Sequence, residues 1–343
     1  MAGTELQGIA QLAIAQEVSD VHLTAGQRIF FRKDGRLQPQ EHDIPDLQQM
    51  DLFLREMLTE FQYRHWQEEK EADFSWEVFG RRFRGNAYVQ RNRPAVALRL
   101  IPERIPSLAE LGAPQALSGL LFSVQGMLLI TGRTGCGKST TLAAFLEEMN
   151  ARRDGHVLTL EDPLEFEHRS AHCFISQREL GRDFLSFPKA LRSALREMPD
   201  VLLVGEIRDA ETMQTAMEAA STGVFVLGTL HTNGAAETAM RVEGMFPAGQ
   251  RDAVRDMFAG VFQGIISQQL VPSADGGRVS VSEVLLATPA SRNLIRQGKY
   301  AQLRNVMMSG HAQGMYTMEA ALQERYDQGM ITKAQMELFT MKS

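Results

Sequence analysis

The segment LLITGRTGCGKSTT, residues 128–141, constrains the chain more than any other part of its sequence. A run of apolar residues leads into G-x-x-x-x-G-K-S at 132–139, which opens the helical pattern STTLAAFLEEMN. Glycines let successive backbone N–H groups turn toward an anion, and the positive end of a helix adds to that attraction. The alternative is a glycine-rich turn with a surface lysine. Such a turn does not require an apolar strand before it and a helix after it, whereas a phosphate loop does. The sequence therefore predicts a loop that holds the phosphates of a nucleoside triphosphate.

The expected roles within this loop follow from the chemistry of a metal-bound triphosphate. Lys138 is expected to contact the β- and γ-phosphates, and the Ser139 hydroxyl is expected to ligate Mg²⁺. ATP and Mg²⁺ are therefore the predicted cofactors. The residues expected to contact the nucleotide are Gly132, Arg133, Thr134, Gly135, Cys136, Gly137, Lys138, Ser139 and Thr140.

A carboxylate follows a second apolar strand, in the segment MPDVLLVGEIRD at 198–209. Glu206 is expected at the carboxyl edge of a parallel sheet, which is the edge where nucleotides bind in such folds. There it could polarise the attacking water or hold Mg²⁺ through a water molecule. The alternative is a strand-end glutamate that pairs with Arg208.

Two further strand ends carry candidate residues. The segment TLEDPLEF at 159–166 places Glu161, Asp162 and Glu165 in one turn, where like charges repel unless a cation lies among them. A metal-bound nucleotide would supply that charge, and a solvated acidic turn is the alternative. In the later segment GTLHTNG, His231 could sense the γ-phosphate or have a structural role.

Periodicity and turn residues predict four parts in the chain. These are a small α+β domain (1–101), a proline-punctuated linker (102–118), an α/β core (119–288) and a helical tail (289–343). In the first part the pattern predicts one long helix over 46–71 and a hairpin turn at Lys33–Arg36. In the core, apolar strands alternate with helical stretches, which is typical of a parallel sheet with crossover helices.

Composition restricts the partners and the compartment. The formal net charge of −6 provides no global basic field, so nucleic acid is not the expected partner. Two cysteines, Cys136 and Cys173, cannot form a disulfide framework or a four-thiolate zinc site. No apolar run reaches the roughly 18 residues that cross a bilayer, and the first residues read as an amphipathic helix rather than a secretory signal. We therefore expect a cytoplasmic protein without direct membrane insertion.

Four segments together resemble one family of proteins. They are GRTGCGKSTTLAAFLEEMN, HVLTLEDPLEFEH, QRELGRDFLSFPKALRSALREMPDVLLVGEIRDAETM and STGVFVLGTLHTNGAAETAMRV. They are similar to the nucleotide-binding boxes of the hexameric secretion ATPases, and most similar to the PilT-like retraction ATPases of type IV pili. SDVHLTAGQRIFFRKDGRL and ASRNLIR resemble segments near the two ends of those proteins. The resemblance implies a RecA-like P-loop NTPase domain between a PAS-like domain and a helical tail.

Matched positions imply roles for individual residues. Lys138 and Ser139 fall on Walker A residues. Glu165 falls on the catalytic glutamate of the Asp box, and Glu206 falls on the water-activating glutamate of Walker B. His231 falls on the second histidine of the His box.

N-terminal arginines of the family reach the nucleotide of a neighbouring subunit, which couples hydrolysis to assembly. The alternative for these residues is a basic strand edge. The candidates for trans-acting or sensor roles are Arg81, Arg82, Arg84, Arg99, His231 and Arg208.

Several positions depart from the residues usual in the family: Arg133, Cys136, Ile207, Ser221, Val224 and Ser291. Backbone N–H groups line a phosphate loop, so nucleotide binding should survive the changes at Arg133 and Cys136. Val224 replaces the first histidine of the His box, and Ser291 replaces an isoleucine in an element linked to retraction.

The resemblance implies an ATP-hydrolysing motor that powers pilus retraction and twitching motility. The implied partners are five further copies in a homohexamer, an inner-membrane platform protein and a paralogous retraction ATPase. Two alternatives remain: a pilus-assembly, secretion or conjugation ATPase of the same superfamily, or a non-hydrolysing accessory ring. The absence of a four-cysteine zinc element disfavours the assembly branch.

Overall fold

The structure, a computed structural model, describes residues 2–33, 36–101 and 104–341. It divides into two compact units. The first unit comprises Met1–Arg104, Pro163–Glu167 and Glu179–Leu185, and the second comprises Ile105–Asp162, His168–Arg178 and Ser186–Ser343. Two short segments from the middle of the chain therefore belong to the unit built mainly from its first hundred residues.

The first unit is an antiparallel sheet covered by helices. Its elements are α1 (Ala2–Ala15), β1 (Asp20–Thr24), β2 (Phe30–Lys33), β3 (Arg36–Pro39), α2 (Leu47–Met57), α3 (Glu60–Glu69), β4 (Glu71–Val78), β5 (Arg81–Gln90) and β6 (Arg93–Leu100). The strand order is β3-β2-β1-β6-β5-β4, and each pair of neighbours is antiparallel. Leu6 and Ile9 of α1 are buried in its core with Phe53 and Phe83. The predicted α+β class of this region is confirmed.

Two local predictions for this region have different outcomes. The two central residues of the predicted hairpin turn at Lys33–Arg36 lie outside the described residues, although Lys33 and Arg36 pair across the hairpin. The prediction of one helix over 46–71 is wrong, because the helix is interrupted at Leu58. There Thr59 caps a new helix: its hydroxyl accepts the Gln62 N–H at 3.2 Å, and the Gln62 side chain accepts the Thr59 N–H at 3.0 Å. This reciprocal pairing is a capping box, and it outweighs the helical periodicity of the flanking residues.

The second unit is built around a seven-stranded sheet. Its elements are α4 (Ala116–Leu120), β7 (Gly126–Thr131), α5 (Lys138–Arg152), β8 (Gly155–Glu161), β9 (Cys173–Glu179), α6 (Phe187–Ala194), β10 (Val201–Val204), α7 (Ala210–Ser221), β11 (Phe225–Leu230), α8 (Ala235–Gly244), α9 (Arg251–Val261), β12 (Phe262–Pro272), β13 (Arg278–Leu286), α10 (Pro289–Arg296), α11 (Leu303–Ser309), α12 (Met318–Asp327) and α13 (Lys333–Thr340). The strand order is β13-β12-β7-β11-β10-β8-β9.

Strands β12, β7, β11, β10 and β8 run parallel, so their carboxyl ends meet at one edge of the sheet. All six residues of β7 and of β11 are buried, as the continuous apolar runs of these strands require. The predicted α/β class with a parallel sheet is confirmed. The sheet also has an antiparallel edge strand, β13, paired with β12, and these two strands were not predicted.

The helical tail packs against β12 and β13. Met318 and Leu322 of α12, with Ile331, form a small core with Val271 and Val281 of these strands. Within the part of the chain that the structure describes, no helix has both the length and the apolar character needed to cross a membrane.

Candidate nucleotide site

The glycine loop lies between β7 and the start of α5. Gly132 has a φ of +137° and Gly137 a φ of +92°, backbone conformations that other residues rarely adopt. A Cβ on Gly132 would lie 2.3 Å from the carbonyl oxygen of Gln268, so the loop tolerates no side chain there. Gly137 is also the N-cap of α5, and it supplies no side-chain hydrogen bond to the first turn of the helix. The N–H groups of that turn are therefore suited to an anion, which fits the predicted phosphate loop.

Lys138 is folded over the loop from the first position of α5. Its side chain is buried, and Nζ donates to the carbonyl oxygens of Gly132 at 2.8 Å and Arg133 at 3.2 Å. These acceptors are neutral dipoles, whereas a buried ammonium is better stabilised by an anion. The position of Lys138 therefore fits the phosphate contact expected for it.

Glu206 lies two residues beyond the end of β10. Its carboxylate accepts a hydrogen bond from Arg208 at 2.8 Å and is paired with His231 Nε2 at 3.1 Å. Burial would raise the pKa of Glu206, but the hydrogen bond and positive charge of Arg208, with the hydrogen bond from His231, outweigh it and lower the pKa below its usual value. Glu206 is therefore ionised at neutral pH. The pairing with Arg208, considered above as an alternative, coexists with a position at the carboxyl edge of the sheet.

His231 connects the two charged groups of this edge. Its Nδ1 lies 3.5 Å from Lys138 Nζ, and its Nε2 faces Glu206. An ammonium can only donate, so Nδ1 is assigned as the acceptor and Nε2 as the protonated donor to the carboxylate. The structure thus brings Lys138, His231 and Glu206 into one chain of polar contacts. Arg208 adds a longer contact of 3.7 Å to Asp162, which follows β8.

The expected magnesium ligands are compatible with this arrangement. Ser139 is half-buried in the first turn of α5, and Glu206 retains about a fifth of its side-chain exposure. In the described ranges, no group of three or more His, Cys, Asp and Glu side chains could hold a metal ion alone. Mg²⁺ usually keeps few protein ligands and completes its shell with phosphate oxygens and water. The assignment of Ser139 and Glu206 as ligands stays a prediction.

Glu165, the second glutamate expected to be catalytic, belongs to the first unit. Arg84 Nη1 donates to Glu165 at 2.8 Å. Arg82, on the same strand, pairs with the exposed Glu167 and, at 3.2 Å, with the buried Glu179. These contacts hold the segment Pro163–Glu167 on strand β5 of its own unit.

Arg81 and Arg99 also have partners inside the first unit. Arg81 donates to the backbone carbonyl of Ile101 at 3.4 Å, and Arg99 donates to Asp20 at 3.1 Å. The side chain of Arg99 is 69 % exposed, compared with 40 % for Arg84 and 13 % for Arg82. The trans-acting role of these residues stays a prediction.

Three of the departures from the family pattern can be placed in the structure. Ser291 completes a capping box at the start of α10, where its hydroxyl accepts the Thr288 N–H at 2.8 Å and its own N–H reaches the Thr288 hydroxyl at 3.0 Å. Val224 is buried in front of β11. Burial also raises the pKa of the Cys136 thiol, although the charge of Lys138 opposes the effect, so this loop residue is a neutral thiol at pH 7.

One residue beside the loop was missed. Gln268, on β12, is hydrogen-bonded to the Cys136 carbonyl and to the Thr141 hydroxyl. The signal in the sequence was a pair of glutamines inside an otherwise apolar stretch, GIISQQLV.

Comparison with known proteins identifies the family. Residues 4–336 match the family described as Type II/IV secretion system protein. The chain is 43 % identical over 327 residues to the Escherichia coli protein YggR, covering 95 % of this chain and 99 % of that protein. It is also 43 % identical over 324 residues to the type IV pilus retraction ATPase PilT of Pseudomonas aeruginosa, covering 93 % of each.

Solved structures agree with the sequence matches. A crystal structure of the pilus retraction motor PilT with bound ADP superimposes with a TM-score of 0.89 at 40 % identity, covering 97 % of this chain and 96 % of that one. The resemblance inferred from the sequence is confirmed. The chain therefore belongs to the Type II/IV secretion system protein family and is a PilT-like ATPase.

Proposed function

We propose that this chain is the ATP-hydrolysing motor of type IV pilus retraction. The observation that carries the proposal is the match to PilT over nearly the full length of both chains, in sequence and in fold. The chain of contacts through Lys138, His231 and Glu206 supports it, because these are the groups that phosphate binding and water activation need at one sheet edge.

In the proposed mechanism, the loop N–H groups and Lys138 bind and orient the phosphates of ATP. Ser139 and Glu206 would hold Mg²⁺, which neutralises phosphate charge when it is bound. The ionised Glu206 accepts a hydrogen bond from the attacking water and directs it toward the γ-phosphate. His231, which contacts both Lys138 and Glu206, would report the loss of the γ-phosphate.

The proposal extends to a homohexamer that acts on an inner-membrane platform protein, on the cytoplasmic side, with or without a paralogous ATPase. The four sequence parts predicted above would act as its domains. In this assembly the arginines of the first unit would contact the nucleotide of a neighbouring copy. Each of them would then exchange a partner such as Glu165 or Asp20 for phosphate, so ATP binding and assembly would be coupled.

Phosphate release by the purified protein tests the enzymatic part. Glu206→Gln should lower kcat about 100- to 1,000-fold, the usual effect of removing a group that activates the nucleophile, while ADP binding is retained. Glu218→Gln, an exposed glutamate on α7, is the matched control and should hydrolyse ATP normally. Wild-type turnover in the Glu206 variant would contradict the mechanism. No turnover in the unmutated protein would favour the accessory ring.

Two further measurements test assembly and direction. Activity across a gel-filtration profile should follow the hexamer fraction, and full activity in a dilute monomer would contradict a site completed by a neighbour. A deletion strain should be hyperpiliated and unable to retract pili, whereas a strain without pili would indicate an assembly ATPase.

A further inference from the structure

We propose that Gln268 is a positioning residue for nucleotide binding, which fixes the shape of the glycine loop from a neighbouring strand. The inference rests on the proposed function, because it assumes that the loop at 132–139 binds phosphates. Gln268 would act through the loop rather than as a catalytic residue.

The first observation is the path of β12 beside the loop. β12 runs parallel to β7, with Ser267 opposite Thr131, so Gln268 is the residue beside the first glycine. Its carbonyl oxygen occupies the space that a side chain on Gly132 would need, and its Nε2 lies 2.9 Å from the position of a Cβ on Gly137. Gln268 is thus in close contact with the glycines near both ends of the loop.

The second observation is the hydrogen bonding of the side-chain amide. Nε2 donates to the Cys136 carbonyl at 2.8 Å, and Oε1 accepts from the Thr141 hydroxyl at 2.9 Å. The orientation of the amide is determined, because a carbonyl oxygen can only accept. Gln268 and Thr141 are both almost fully buried, with 3 % and 2 % of their surface exposed. Both bonds are therefore shielded from competing water.

Together these bonds fix the section of the loop that would do the binding. Cys136 and Thr141 flank residues 137–140, so the amide spans the turn that carries Lys138 and the first helical N–H groups. A loop held in its binding shape loses less conformational entropy when it takes up a ligand. Loss of these two hydrogen bonds should therefore weaken phosphate binding more than it lowers the stability of the fold.

The test is the Kd for ADP in the presence of Mg²⁺, measured by calorimetry on the full chain. Gln268→Met keeps the volume and removes both hydrogen bonds, and we expect about ten-fold weaker binding, as for the loss of buried hydrogen bonds. Thr141→Val removes one bond and should weaken binding less. Combined with Gln268→Met it should add little, because the two residues form one interaction. Gln269→Met, the next residue on the opposite face of β12, should bind as the unmutated protein does.

A purely structural role is distinguished by two readouts. The Tm without nucleotide reports the fold, and KM for ATP against kcat reports the site. The proposal requires weaker ADP binding and a raised KM in well-folded Gln268→Met protein. A lowered Tm with an unchanged Kd in both the Gln268 and the Thr141 variants would overturn it. If the unmutated protein binds no ADP, the proposed function fails as well, whereas equal binding by all variants rejects only the role of Gln268.

Discussion

Replacing Glu179 with glutamine should destabilise the first unit far more than the same change at Glu167. Both carboxylates pair with Arg82, but their surroundings differ. Glu179 is 2 % exposed and also accepts the Ser75 hydroxyl at 2.6 Å and the Leu164 N–H at 3.2 Å. Glu167 is 58 % exposed. The comparison therefore contrasts a buried carboxylate that accepts several hydrogen bonds with an exposed carboxylate, both paired with the same arginine.

The magnitude follows from the donors that surround Glu179. The two carboxylate oxygens accept bonds from three donors, whereas a glutamine has one oxygen and one NH₂ group, so at least one donor would face another donor. A buried hydrogen bond to a charged group contributes about 1.5–3 kcal/mol, and removing one partner of a buried ion pair costs about 3–5 kcal/mol. Because glutamine keeps one acceptor, we expect a loss of about 2–3 kcal/mol. For Glu167→Gln we expect about 0–1 kcal/mol, the range for exposed pairs.

Urea unfolding followed by tryptophan fluorescence measures this difference. The two tryptophans of the chain, Trp66 and Trp76, both belong to the first unit, so their emission follows that unit alone. With a slope of about 1–3 kcal/mol per molar urea, Glu179→Gln should lower the midpoint by about 1 M, and Glu167→Gln by a small fraction of that. Equal shifts for the two variants, or a larger shift for Glu167→Gln, would refute the argument that the buried network holds Leu164 and its neighbours in the first unit.

Two more predictions concern groups whose pKa is changed by burial. Burial raises the pKa of Tyr316 to about 12 from its ordinary 10.0, so the stability that its neutral form provides is present below pH 10 and lost as the pH rises toward 12. The Tm of Tyr316→Phe, measured by circular dichroism, should fall less steeply between pH 10 and pH 12 than the Tm of the unmutated protein. An equal pH dependence in the two proteins would disprove the assignment. Burial likewise raises the pKa of the Cys136 and Cys173 thiols, so iodoacetamide at pH 7.5 should modify both much more slowly in the native protein than in urea. Rapid labelling of native protein, detected by mass spectrometry, would contradict this.

The strands that surround the site were predictable because their surroundings are uniform. β7 and β11 are buried on both faces and require continuous apolar runs, which are visible in GMLLIT and FVLGTL. Parallel strands also end at a common edge, so residues that follow them, such as Lys138, Glu206 and His231, were expected to lie together. Strand β12 was not predicted because Gln268 is directed toward the loop rather than into an apolar core. This polar residue interrupts the apolar run that would otherwise indicate a buried strand.

Other features depend on contacts that periodicity does not encode. The pairing of Arg84 with Glu165 joins residues 81 positions apart, and it exists because a short segment after β8 packs on the first unit. The break between α2 and α3 was encoded locally, since T-x-x-Q at 59–62 is a capping signature, but the surrounding helical periodicity obscured it.

Binding of Mg²⁺ and a non-hydrolysable ATP analogue to the unmutated protein and to Lys138→Ala tests the central claim most directly. The exposed Lys299→Ala, far along the chain, is the matched control. If the loop at 132–139 holds the triphosphate, Lys138→Ala should bind about 10- to 100-fold more weakly, as expected for the loss of a charge-assisted contact, while Lys299→Ala binds normally. Equal affinity in all three proteins would contradict the account.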